Sequence, residues 1–366
     1  MPAYPLIALA TIVAAAIISA AGTVLVRRAA VAAKLVSKVA EDRFGTQPVP
    51  LGGGVAIMGA IALPVMLAVA LARYWAATGA PSWLPMEIAI HVEGAASRVP
   101  MALIILGGAL VLCVVGLIDD RWNLGAWLKL IAQAVVAAAV VWFAEVRILT
   151  VLGEPLSVAV SVLWMLVIIN AINFMDNMDG LAAGVTLVAA CALLAMAAGL
   201  GQLFVPAWLC LLIGAVLGFL PSNAPPARVY MGDAGSLVLG FFLAVLSMLT
   251  TYYDPAVVAG RPAYTVLAPL IVLAVPLYDF VSVVILRLRA GVSPFTGDTR
   301  HFSHRLVRRG MTVRATVLTI CLCTAVTGIA AVLLPVVSDW AALLLAAQTL
   351  GVLYIIALLE SAGEAP

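Results

Sequence analysis

Four stretches of this 366-residue chain hold residue types able to do chemistry. In GLIDDRWNLG (116–125) two adjacent carboxylates, Asp119 and Asp120, end an apolar run. Neighbouring like charges repel and call for a cation close by; Lys129 follows at the start of the next apolar run. In NAINFMDNMDGLAAG (170–184), Asn170, Asn173, Asp176 and Asp179 recur every third residue, with Asn177 among them. Three residues advance an α-helix by about 300°, so the set drifts around the helix. Either these side chains address two neighbours, or the helix opens near Asp176 to Gly180. In PPARVYMGDAGSLVLG (225–240), Gly232 and Asp233 directly precede an apolar run. Glycine admits close backbone approach, and the free N–H groups of a helix N-terminus attract phosphate or carboxylate. An aspartate in such a turn suits a metal bridging it to phosphate. In SPFTGDTRHFSHRLVRRGMT (293–312), His301 and His304 stand among Arg300, Arg305, Arg308 and Arg309. No third soft ligand is near, so phosphate contact fits them better than metal ligation. Each stretch also has a plainer account: a solvated helix end, a capped loop, an N-cap, or arginines facing lipid headgroups.

The elements that must position these residues are membrane helices. Hydrophobic residues make up 65% of the chain and charged residues 10%, and the mean hydropathy is +1.20. A soluble globule could not cover so much apolar surface. A cytosolic enzyme, a disordered chain and a nucleic-acid binder are excluded. The five cysteines lie inside apolar runs without metal-like spacing and read as small buried hydrophobes. Runs long enough to approach a bilayer span occur near 6–26, 54–72, 101–118, 127–143, 157–172, 181–200, 203–220, 236–253, 264–286, 315–337 and 340–359. The first reads as a retained helix rather than a signal peptide. The expectation is an all-α, polytopic membrane protein of about eleven transmembrane helices, forming one domain over 1–366.

Numbering the connections alternately puts 15 of the 19 basic residues on one side. Arg73, Arg98, Arg147 and Arg261 are the exceptions. Basic loops stay in the cytoplasm, so the N-terminus is expected outside and the C-terminus inside. All four motifs then fall on cytoplasmic loops, roughly 27–53, 119–129, 173–181, 221–236 and 287–314. Ionisable groups gathered at one membrane face suit a site fed by a water-soluble substrate; a transporter or flippase would more often carry them within its spans. Lys129 and Asp279 each have a modest alternative, Lys129 as a snorkelling side chain and Asp279 as a partner of Arg287 or Arg289. His91, alone in an external loop, receives no role.

In this order and on this side, the motifs resemble those of the polyprenyl-phosphate N-acetylhexosamine-1-phosphate transferases. The resemblance runs from PVPLGGG (48–54) to the histidine segment. It implies transfer of a sugar-1-phosphate from a UDP-sugar to a polyprenyl-phosphate lipid, with release of UMP. It also implies a cleft open to the cytosol at the cell (inner) membrane, Mg²⁺ dependence with Mn²⁺ as a substitute, and an assembly that can be a homodimer. Asp119 and Asp120 match the family's Asp-Asp pair, one member of which serves as base, and Lys129 matches a pyrophosphate-binding lysine. Asn173, Asp176 and Asp179 match its Asn/Asp motif, giving Asp176 and Asp179 catalytic roles. Asp233 matches its metal-binding aspartate, with Asn173 as second ligand. Asn170, Asn177, Gly232, Arg300, His301 and His304 are expected on the substrate. Two positions depart from the pattern: Asn177 stands where the family has Gly, and Ser303 where it has the third residue of HxHH. The absence of three consecutive histidines favours the branch that transfers GlcNAc-1-phosphate over the muramoyl-pentapeptide branch. Another UDP-N-acetylhexosamine remains an alternative donor.

Overall fold

A computed structural model describes residues 3–37, 48–250, 252, 262–293 and 300–361. Lys38, Arg43, Arg261 and Asp298, all placed by charge or motif above, lie outside the described residues. Each of the eleven apolar runs is helical over most of its described residues. The helices are α1 (Ala3–Ala32), α2 (Gly53–Thr78), the short α3 (Met86–Ala89) and α4 (Val92–Ser97), α5 (Val99–Trp122), α6 (Ala126–Phe143), α7 (Glu154–Met175) and α8 (Leu181–Gly199). There follow α9 (Phe204–Asn223), α10 (Asp233–Leu249), α11 (Ala268–Val272), α12 (Ala274–Arg289), α13 (Phe302–Arg308), α14 (Val313–Leu333) and α15 (Asp339–Ser361). Among the described residues the extended pairing is one isolated bridge, Val36 with Pro50. The protein is an all-α, multi-pass membrane protein.

Among the described residues, nine helices are long and apolar enough to cross a membrane. The expected eleven segments differ from this in two places. The 264–286 run is broken: the Ala263–Val272 helical stretch and α12 meet at 66°. The 236–253 run becomes α10, only 17 residues long. Nearly all of α10 is buried, as expected of a helix apolar on every face. It forms the centre of the bundle, packed on α7, α5 and α2.

Contacts across the bundle sort the connections into two ends. At one, Arg121 donates to Ala33 O, Arg314 to Pro225 O, and Arg305 pairs with Glu360. At the other, Tyr4 meets His91 and Tyr264 donates to Val337 O. The bend before α12 carries Tyr278 and Asp279 to the first end, where they meet Glu360 and His301.

Candidate active site

The first end of the bundle holds the carboxylates. α5 delivers Asp119 and Asp120 in its last turn, α6 delivers Lys129 in its first, α7 delivers Asn173 near its end, and α10 starts at Asp233. Lys129 Nζ lies 2.9 Å from Asp119 Oδ2 and 2.6 Å from Asp233 Oδ2. Asn173 Nδ2 donates to Asp233 Oδ1 (3.1 Å) and to Ser236 Oγ (2.8 Å). Asp119 is fixed from its other oxygen by the Leu124 N–H at 2.8 Å. These side chains are half-buried, so the charges interact more strongly than in open water.

Asp120 has a different task. Its carboxylate accepts the N–H of Asp233 at 2.8 Å and of Ala234 at 3.4 Å, the first donors of α10. A carboxylate at a helix N-terminus satisfies orphan donors and opposes the helix dipole. Of the two anions expected at those N–H groups, phosphate or carboxylate, it is a carboxylate that occupies them. Gly232 sits at φ 68°, and a Cβ there would collide with the Asp120 carboxylate, so its missing side chain serves Asp120.

Two further glycines let the backbones meet. A Cβ on Gly54 would strike Ala234 and Gly235, and one on Gly116 would strike Asp233 and Ala234. The Gly53 and Gly54 N–H groups donate to Tyr230 O and Met231 O, both at 3.0 Å, and Tyr230 N donates to Pro50 O. The turn carrying Asp233 is thus clamped between α2 and α5. The run of three glycines at 52–54 is the mark this close approach leaves in the sequence.

The every-third-residue set does address different neighbours. Asn170 donates to Gln133 Oε1 at 2.6 Å and to Leu166 O, which places its amide on α6 rather than on an open surface. Gln133 stands one turn beyond Lys129 on α6 and is buried. Asn173 faces Asp233. α7 ends at Met175, with Asp176 as its cap. Beyond it Asp176, Asn177 and Asp179 line a cavity of about 320 Å³ with Asn223, Tyr230 and Arg314. Asp179 accepts the Ala227 N–H at 2.8 Å, and Asn223 accepts that of Gly180.

The histidines are tied inward. His301 Nδ1 lies 2.8 Å from Asp279 Oδ2, and the Phe302 N–H donates to Asp279 Oδ1 at 3.0 Å. Asp279 thus holds His301 and the start of α13. His301 also meets Phe174 edge-on, under the Arg287 guanidinium. His304 is buried with its ring 6.3 Å from that of His301. Arg300 reaches Leu286 O at the end of α12. Ser303 donates to Asn177 Oδ1 at 2.7 Å, joining α13 to the turn after α7.

Among the described residues no three His, Cys, Asp or Glu side chains form a ready metal cage. The donor set nevertheless fits Mg²⁺, which takes one or two carboxylates and leaves its other positions to water and substrate phosphate. Asp119, Asp120 and Asp233 set three carboxylates against the single ammonium of Lys129, an imbalance that a divalent cation would offset. Ser236 adds a neutral hydroxyl oxygen at this corner, while Asn173 turns its Nδ2 amide towards both Asp233 and Ser236.

Comparison with known proteins shows the family. The profile of glycosyl transferase family 4 matches residues 102–251, the stretch from α5 through α10. A decaprenyl-phosphate N-acetylglucosaminephosphotransferase of Mycolicibacterium smegmatis is 33% identical over 331 residues, covering 84% of this chain and 77% of that protein. A probable undecaprenyl-phosphate N-acetylglucosaminyl 1-phosphate transferase of Bacillus subtilis is 33% identical over 244 residues, 64% of this chain and 66% of the relative. The corresponding Escherichia coli K12 enzyme is 30% identical over 230 residues, 59% of this chain and 61% of its own. The alignments thus span just under two thirds of the Bacillus and Escherichia proteins and about three quarters of the Mycolicibacterium one. This chain belongs to glycosyl transferase family 4, among the membrane-embedded polyprenyl-phosphate N-acetylhexosamine-1-phosphate transferases.

Proposed function

We propose that the chain transfers GlcNAc-1-phosphate from UDP-GlcNAc to a polyprenyl-phosphate lipid and releases UMP. The observation that carries this reading is the Lys129 ammonium held between Asp119 and Asp233 at the start of α10. Both reactants are anionic phosphates, and their approach needs charge screening by fixed cations. Asp233, with Asn173 and Ser236 beside it, would hold Mg²⁺, or Mn²⁺ in its place, and the ion would supply charge neutralisation for the donor's diphosphate. Lys129 is positioned to leave its carboxylates and bind the pyrophosphate. Asp119 orients Lys129 and the incoming lipid phosphate. The 320 Å³ cavity beside Asp176, Asn177 and Asp179 takes the nucleotide end of the donor, with Arg314 as a fixed positive charge at its wall.

The site lies at the end of the bundle that carries Arg27, Arg28, Lys34, Arg121, Arg228 and the arginines of 287–314, against Arg73, Arg98 and Arg147 at the other. That asymmetry supports a cytoplasmic active site in the cell membrane, with the N-terminus outside. The test is a donor panel: full-length protein in detergent with polyprenyl phosphate, Mg²⁺ and several UDP-sugars, reading UMP. UDP-GlcNAc should give the most UMP, and EDTA should stop its release until Mg²⁺ is returned. Release that ignores EDTA overturns the metal reading, and preference for another UDP-sugar overturns the donor.

A further inference from the structure

At the end of the bundle away from Asp233 lies a second cavity, about 460 Å³ in volume, within the size range of ligand sites. α1, α2, α5 and α9 form its apolar walls, with Val65, Val69, Ala102 and Trp208 among its lining. Thr11 also lines it, eight residues along α1. At 1.5 Å per residue that is about 12 Å along α1 from its start, on a helix long and apolar enough to cross a membrane. The cavity is held open by fixed parts. The Tyr4 hydroxyl donates to Glu87 O at 3.2 Å and meets His91 Nε2 at 2.9 Å, pinning the start of α1 to the segment before α4.

One fully charged side chain lines this cavity, Arg98. It is exposed, and no described residue pairs with its guanidinium. Basic residues are scarce at this end, and Arg147 is matched by Glu154 at 2.8 Å. An apolar slot that runs into the membrane from an unmatched guanidinium has the chemistry of a single lipid: chain in the slot, phosphate on the arginine. We propose that this cavity binds an acyl chain of an anionic glycerophospholipid from the leaflet opposite the active site, with its phosphate on Arg98. The acceptor lipid is a poor match, because its reacting phosphate must reach Lys129 and Asp233 at the other end of the bundle.

The test is native mass spectrometry of the full chain in detergent, titrated with palmitoyl-oleoyl phosphatidylglycerol or the matching phosphatidylcholine. The wild type should hold one phosphatidylglycerol with roughly tenfold preference. Arg98→Ala should abolish the preference, and Ala102→Trp, which fills the slot, should weaken both lipids. Thermal melting of both variants separates lost binding from lost fold; a variant that melts early is replaced by Arg98→Gln or Ala102→Phe. Equal binding of the two lipids to wild type, a preference that survives loss of Arg98, or unchanged binding in the filled slot overturns the proposal. So does displacement of phosphatidylglycerol by an equal concentration of polyprenyl monophosphate, which would give the cavity to the acceptor.

Discussion

Ser303 donates a 2.7 Å hydrogen bond to Asn177, so the two positions that depart from the motif pattern the sequence resembles touch each other. Asn177 also donates to Phe174 O, and Ser303 is fully buried. The bond ties α13 to the turn that walls the 320 Å³ cavity.

The two residues should therefore behave as one unit. Ser303→Ala or Asn177→Gly alone should cost about 1 kcal/mol of stability and weaken donor binding. The double variant should cost little more than either single one, a coupling of the size seen between residues in contact. Thermal unfolding and the KM for UDP-GlcNAc check this, and additive effects would show that the bond carries nothing.

Lys129 and Asp233 should separate binding from turnover. Asp233→Asn keeps the volume and removes the charge that faces Lys129, and activity should fall by about 10² or more, the scale of a lost electrostatic contact at a reacting centre. Lys129→Ala should raise the KM for UDP-GlcNAc. Both proteins should elute and melt like wild type. Near-normal UMP release by Asp233→Asn would remove the carboxylate from the reaction.

Close backbone packing makes a sharper steric forecast. Gly116→Ala should destabilise the protein by about 1–3 kcal/mol, as overpacking does, because the new Cβ strikes Asp233 and Ala234. Gly107→Ala, on the same helix with open space around it, should be neutral or slightly stabilising. Differential scanning fluorimetry of the pair reads the contrast, and equal shifts would contradict the packing.

The buried amide pair behind the site invites a fourth experiment. Gln133→Leu strands the Asn170 amide among α6 and α7 and should cost about 1 kcal/mol, the usual worth of such a bond between membrane helices. Replacing both residues by Leu should restore most of the loss, since removing both partners is nearly neutral. Melting temperatures of the single and double variants decide it.

Much of this architecture is legible in the residue order. Apolar runs mark the eleven segments that form the bundle, and the basic residues sort their connections by side. The drift of Asn170, Asn173, Asp176 and Asp179 around a helix foretells that they meet different partners. Other features depend on contacts distant in sequence. Nothing local says that Asp120 will cap α10, 113 positions onward, or that Lys129 will bridge two carboxylates. The 66° break before α12 has a local signal in Pro276, which cannot continue the hydrogen-bond ladder from the preceding stretch, and α10 ends where the sequence turns polar at Thr250. Gln133 was within reach, since its register with Lys129 marks the same face of α6.

The stitching of residues 50–54 to 230–231, with Asp120 on the first turn of α10, bears on biogenesis. The segments emerge from the ribosome far apart in time. Until α10 enters the bilayer, Asp120 has no helix to cap and Lys129 has one carboxylate instead of two. A translocon or chaperone must therefore tolerate a charged, half-built pocket while some hundred further residues are threaded. A stalled or truncated chain that ends before Asp233 would be a target for membrane quality control rather than a partial enzyme.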